Sequence, residues 1–248
     1  MKDRFNTFDS FDESDASFDD FEQAIPLMSE EEEKELTESI VPDELPILPL
    51  KNTVLFPGVV VPITVGRDRS LALVKEAYAG DKIIGVVTQK DEDIEEPEDK
   101  DLYRIGTMAR IIKLIKMPDG SKSIVIQGKS GFEVEEFTQS SPFFKAKVKA
   151  FPKEMDIQGV ELDASIRNIK ETATRIINLS PNIPSEATIA VNNINSPTFL
   201  LNFISSNLNV GIEKKQQLLE IQKFSDNLKK VMEFLEQEVQ VLDMSEKI

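Results

Sequence analysis

Few residues in this chain are suited to covalent chemistry, and their types narrow what that chemistry is. Among its 248 residues there is no cysteine and no histidine. That removes disulfides, a thiolate nucleophile, Cys-based metal sites, a Ser-His-Asp triad and the usual zinc sites. The triplet closest to a chemical motif is Gly128-Lys129-Ser130, which reads like the end of a phosphate-binding loop. Such a loop needs a glycine five residues before Gly128, where this chain has Ser123. It also needs a helix directly afterwards, so that backbone amides and the helix dipole face the phosphate. Phe132-Glu133-Val134-Glu135 alternates as a strand instead, so the triplet is read as a hairpin connection. A Ser-Lys dyad needs a buried lysine of lowered pKa beside an exposed serine, and no segment marks one.

Binding chemistry has better candidates. The Phe56-Pro57 turn and the Phe143-Phe144 pair are apolar groups that either join the core or form exposed patches tolerant of varied partners. On the last helical segment Val231, Leu235 and Val239 lie on one face, and no later segment remains to cover it. Their spacing suits a bundle face or a short coiled-coil seam, so this face is a candidate for self-association. Truncating residues 225–248 is expected to change the sedimentation of the chain.

Elements must hold these groups in place. Pro46 and Pro49 keep the residues before them extended, Pro57-Gly58 signals a turn, and residues 59–65 form a β-branched strand. Pro62 lacks an N–H, which places that strand at an edge or a bulge. A helix follows over residues 66–80, with Asp68 or Ser70 as cap and Leu71, Val74, Ala77 and Tyr78 as its apolar stripe. Residues 82–89 form a strand, 91–101 an acidic loop, and 102–117 lead through a long strand to the turn Pro118-Asp119-Gly120-Ser121. Residues 123–127, 132–137 and 143–151 supply the remaining strands. In the last, Phe144, Ala146, Val148 and Ala150 alternate with Lys145, Lys147 and Lys149. Short strands with one inserted helix predict a small, mostly antiparallel β-barrel, whose closure protects the edge left by Pro62.

From about residue 156 the apolar period becomes helical. Ile166, Ile169, Ala173, Ile176 and Ile177 share one face, and Ser185 caps a short helix. Ser196-Pro197 opens another helix, Gly211 precedes a further one, and the last begins near Ser225. The fold class is therefore α+β, a barrel followed by an α-helical bundle. No apolar run approaches the ~18 residues a membrane span needs, so no membrane partner is expected.

The net charge of −16 is uneven. Residues 1–44 hold three bases and sixteen acids, a net of −13, and the remainder carries −3. Neither part offers the basic surface that nucleic acid requires. Phe5, Phe8, Phe11, Phe18 and Phe21 punctuate the acidic start, too few to offset the entropy of ordering it. Residues 1–44 are read as a disordered tail that solubilises the protein or docks its Phe face on a partner. A short helix can follow Ser29.

The wording of several segments adds a family. Residues 45–66 read Leu-Pro-Ile-Leu-Pro-Leu, then Val-Leu-Phe-Pro-Gly. After them come Val65-Gly66-Arg67, Val87-Thr88-Gln89-Lys90, residues 101–107, and Lys215, Gln216, Leu218, Leu219 and Glu220. In this order they resemble the N-terminal region of the ATP-dependent Lon protease family. Two positions depart: Gly131 stands where the family often has arginine, and Asn202 where it has an acid.

The resemblance implies a barrel similar to the pseudouridine-synthase-associated (PUA-like) fold at 45–152 and a helical subdomain at 153–248. It implies a non-enzymatic chain, without catalytic residue, cofactor or metal of its own. It implies that this chain is the recognition and assembly region of a longer protein, expected to be a cytoplasmic homohexameric Ser-Lys endopeptidase that uses ATP and Mg. The partners expected are unfolded or tagged proteins, including misfolded and regulatory ones, and the ATPase and protease modules of that longer protein, of which this is expected to be a fragment. The alternatives are a free-standing adaptor with the same barrel and, against the charge, an RNA-binding barrel.

Overall fold

The computed structural model describes residues 29–248. The first element among the described residues is helix α1 (Glu30–Thr37), which begins as a capping box: Ser29 Oγ accepts from the Glu32 amide, and the Glu32 carboxylate accepts from the Ser29 amide. This is the short helix expected after Ser29, and it lies inside the span otherwise read as a disordered tail. α1 packs against β5, a tertiary contact that composition does not record. The phenylalanine-rich part of the expected tail lies outside the described residues.

Six strands follow: β1 (Glu44–Leu50), β2 (Val60–Val65), β3 (Ile83–Thr88), β4 (Ile105–Lys116), β5 (Lys122–Gln139) and β6 (Phe144–Ala150). Their order is β2-β5-β4-β3-β1-β6, and β5 also pairs with β6, so five strands close a ring. The β1–β3 pairing is parallel and the others are antiparallel. Ring closure does not protect β2. That strand pairs only with β5 and keeps Pro62 on a sheet edge.

β5 corrects another expectation. The residues read as two strands joined through Gly128-Lys129-Ser130 form one strand of 18 residues. Its first half pairs with β2 and its second half with β6, while β4 runs beside both. Gly128 sits at the crossing with the Phe56-Pro57 turn: its N–H donates to Val59 O and its carbonyl accepts from Gly58 N, both at 2.9 Å. A Cβ there would stand 2.4 Å from Phe56 O, so only glycine allows the approach.

Helix α2 (Asp68–Ala79) is inserted between β2 and β3. Its N-cap is Arg67 rather than Asp68 or Ser70, and no side chain caps it. Leu73, Val74 and Ala77 pack on Leu48, Leu50, Ile84 and Ile126 of the ring.

The helices after the ring are α3 (Gly159–Leu179), α4 (Glu186–Asn193), α5 (Pro197–Asn207), α6 (Ile212–Glu220) and α7 (Phe224–Glu246). Ser196 caps α5 through its hydroxyl, which accepts from Phe199 N. Ser185 makes no such bond to α4. Ile169, Ala173, Ile176 and Ile177 of α3 join Leu228, Val231, Leu235 and Val239 of α7 in one buried cluster, which also takes in Val54, Phe56, Val59 and Ile105 from the sheet side. None of the helices among the described residues is long and apolar enough to cross a membrane.

Candidate functional site

Where the ring meets the helices, side chains leave a pocket of about 670 Å³. Its walls are α1, the middle of β5, the 150–155 segment and the first turns of α5 and α7. Apolar lining comes from Val41, Phe151, Leu201, Leu219 and Phe224.

Each polar group at this seam has a defined origin. Ser130, the last residue of the apparent phosphate motif, donates its hydroxyl to Ser39 O at 2.7 Å and fastens the α1–β1 connection to β5. Glu33 is buried on α1, where its Oε2 accepts from Ser196 Oγ at 3.0 Å while Oε1 has no partner. Burial pushes its carboxyl above the ordinary value; the Ser196 bond opposes this, and the charges of Glu38 and Glu30 add to it. Asn227 in the first turn of α7 is also buried, and its Oδ1 has no partner. Lys153 donates to the carbonyls of Leu219 and Ile221 at the end of α6. Burial lowers its pKa to about 8, with the Glu220 charge opposing. This is the buried lysine that sequence inspection did not mark. Its ammonium is committed to backbone carbonyls rather than to a serine, so the arrangement is a helix C-terminal tie.

Two buried amides staple the helices to the sheet beside this pocket. Asn202 Nδ2 donates to Pro57 O at 3.2 Å, and Gln216 Nε2 donates to Ile105 O at 2.9 Å. Asn202 is one of the two positions read as departing from the family resemblance, and a carboxylate there has no proton to give Pro57.

A second pocket of about 280 Å³ lies between β1, α2 and the acidic loop. Arg67 dominates it. Nη1 donates to Gln89 Oε1 at 2.5 Å and to Glu95 O at 3.3 Å, and Nη2 donates to Pro49 O at 2.9 Å. Gln89 Nε2 passes the link to Asp91 O and Ile94 O, and Lys51 pairs with Glu95 at 2.9 Å. This network holds the loop against the ring.

The binding candidates chosen from sequence are buried. Phe56 and Pro57 face Asn202 and Gly128 at the seam. Phe143 and Phe144 are 3 % exposed at the wall of the second pocket, where the Arg69 guanidinium lies 5.6 Å from the Phe144 ring centre. Val231, Leu235 and Val239 are enclosed against α3, an earlier helix that returns to cover the last one. Exposed apolar side chains lie elsewhere and include Met155 at the rim of the larger pocket, Ile40, Val160, and Val241 and Met244 near the end of α7. Among the described residues no cluster of three or more Asp, Glu, His or Cys is placed to hold a metal ion.

Comparisons with known proteins place these features in a lineage. Residues 44–237 match the family model described as the ATP-dependent protease La (LON) substrate-binding domain. A Lon protease of Flavobacterium johnsoniae is 45% identical over 232 residues, and one of Cytophaga hutchinsonii is 43% identical over 225. The alignments cover 93% and 90% of this chain and 28% of each relative, so the chain spans little more than a quarter of their length. Among solved structures, the N-terminal domain of Mycobacterium avium complex Lon protease superposes with a TM-score of 0.64 at 20% identity, over 78% of this chain and 98% of that one. A Lon N-terminal domain protein from Xanthomonas campestris gives 0.55 at 17% identity, over 76% of this chain and 96% of that one. At these identities the structural likeness bears on the fold.

Proposed function

The chain belongs to the ATP-dependent protease La (LON) substrate-binding domain family, and from that premise we propose that it captures unfolded or tagged polypeptides for a longer ATP-dependent Ser-Lys endopeptidase. The observation that carries this reading is the family match across residues 44–237. The seam pocket supports it, being a concave surface that combines apolar lining with a few convergent polar groups. Exposed Met155 at its rim adds a flexible side chain able to pack against varied sequences.

In this reading the ring is the small PUA-like barrel, the work is cytoplasmic, and the chain itself carries no catalytic residue or cofactor. ATP, Mg and the Ser-Lys chemistry belong to the modules of the longer protein. Assembly of that protein into a homohexamer draws on surfaces other than the enclosed Val231, Leu235 and Val239, and exposed Val241 and Met244 are the available apolar face on α7. The test is fluorescence anisotropy of a labelled, permanently unfolded polypeptide titrated with the chain. Saturable binding that a folded protein does not compete away is expected; no binding at any concentration overturns the proposal.

A further inference from the structure

The seam pocket holds acceptors that the fold leaves unused. Glu33 and Asn227 are 8 % and 6 % exposed, they line the same pocket, and Glu33 Oε1 and Asn227 Oδ1 are without hydrogen-bond partners. Buried acceptors without donors are rare in folded proteins because dehydration is uncompensated. Both missing partners are donors, so an occupant that satisfies them supplies N–H or O–H groups.

Charge narrows the occupant further. The ionisable groups lining the pocket are Glu30, Glu33, Glu38 and Glu154 on the acidic side and Lys34 and Lys153 on the basic side. Lys153 is already engaged with the carbonyls of Leu219 and Ile221. The lining is therefore net negative and suited to a cation. Phe151, Leu201 and Leu219 provide apolar wall against which a long aliphatic stem can lie while its charged end reaches a carboxylate.

We propose that the seam pocket is a subsite for a lysine or arginine side chain of an extended polypeptide. Glu33 receives the cationic head, and Asn227 Oδ1 receives a backbone N–H of the same segment. This rests on the reading of the chain as a polypeptide-capturing domain and assigns a position within it a charge preference.

The probes are three labelled, unstructured peptides identical except for one central residue: lysine, norleucine or glutamate. Each is titrated against the whole chain by anisotropy at neutral pH and low salt. The lysine peptide is expected to bind about tenfold more tightly than the norleucine peptide, as a charge-assisted pair in a partly dehydrated site requires. The glutamate peptide binds weakest. In Glu33→Gln the ratio of lysine-peptide to norleucine-peptide affinity collapses toward one. Equal binding of lysine and norleucine peptides, or an unchanged preference in Glu33→Gln, overturns the subsite and leaves polypeptide capture standing. Failure of all three to bind overturns both. A photo-crosslinking group beside the lysine gives a second readout on the unmutated chain, independent of any effect of the substitution on folding. Cross-links to residues lining the seam pocket support the assignment, and cross-links confined to residues outside it refute it.

Discussion

Arg67 and Gln89 lie at opposite ends of the α2–β3 unit, yet the guanidinium of one donates to the side-chain carbonyl of the other at 2.5 Å. Together they anchor the acidic loop through the carbonyls of Glu95, Asp91 and Ile94. Lysine cannot replace Arg67, because its single ammonium cannot span Gln89, Glu95 and Pro49 with a fixed fork. Arg67→Lys is expected to lower stability by about 1–3 kcal/mol and to speed amide exchange in residues 91–101. Native exchange rates in that loop would refute the anchor.

The Asn202–Pro57 bond joins the opening motif to α5. Asn202→Asp turns a donor into an acceptor facing a carbonyl, and about 1–3 kcal/mol of stability should be lost. Urea unfolding measures this directly. An unchanged midpoint would mean that the amide is not what fastens the helices to the turn.

Gly106 sits where β4 passes β3, and a Cβ would stand 2.1 Å from Val86 O. The obstacle is backbone, so it cannot rotate away. Gly106→Ala is expected to cost about 1–3 kcal/mol or more, whereas Gly66→Ala, with open space around it, is expected to cost less. Equal thermal midpoints for the two variants would contradict the packing described.

Glu33 links α1 to pH. Its carboxyl is held above the ordinary value of 4.5 by burial, so the folded state binds that proton more tightly than the unfolded chain does. The stabilisation this gives is complete below pH 4.5 and is lost as pH rises through the elevated folded value. Glu33→Gln keeps a neutral, similarly shaped group and should flatten that dependence. Parallel pH profiles of urea midpoint for wild type and variant would show that Glu33 does not titrate across folding.

Leu235 separates a core role from an assembly role. It is 3 % exposed and packs within the α3–α7 cluster. Leu235→Ala should lose about 2–5 kcal/mol of stability with no change in sedimentation below the transition. Met244→Glu, on an exposed site, should leave stability nearly unchanged. Altered association in Leu235→Ala at full native stability would restore the seam reading.

Local signals in the sequence were enough for most elements. Proline placement, β-branched runs and the Pro118-Asp119-Gly120-Ser121 turn located the strands, and apolar spacing located the helices. What escaped was long-range. The junction within β5 reads as a break because glycines weaken strands, yet Gly128 is there to let the Phe56 carbonyl approach. Phe56, Phe143 and Leu235 look like free surface only until the elements covering them are known. Glu33, Asn227 and Lys153 carry no motif at all. Their properties arise from burial, which depends on partners up to 163 residues away, as between Ser196 and Glu33.

The pairing of β1 with β6 sets Glu44 opposite Lys147, more than a hundred residues later. A ribosome adding on the order of 5–20 residues per second leaves that half of β1 without its second neighbour for seconds. β3 arrives first and covers Ile47 to Leu50. The exposed stretch in the interval holds Leu45 and Pro46, and a proline has no N–H to offer a stray strand. Pro46 thus guards, during synthesis, an edge that the finished molecule does not have.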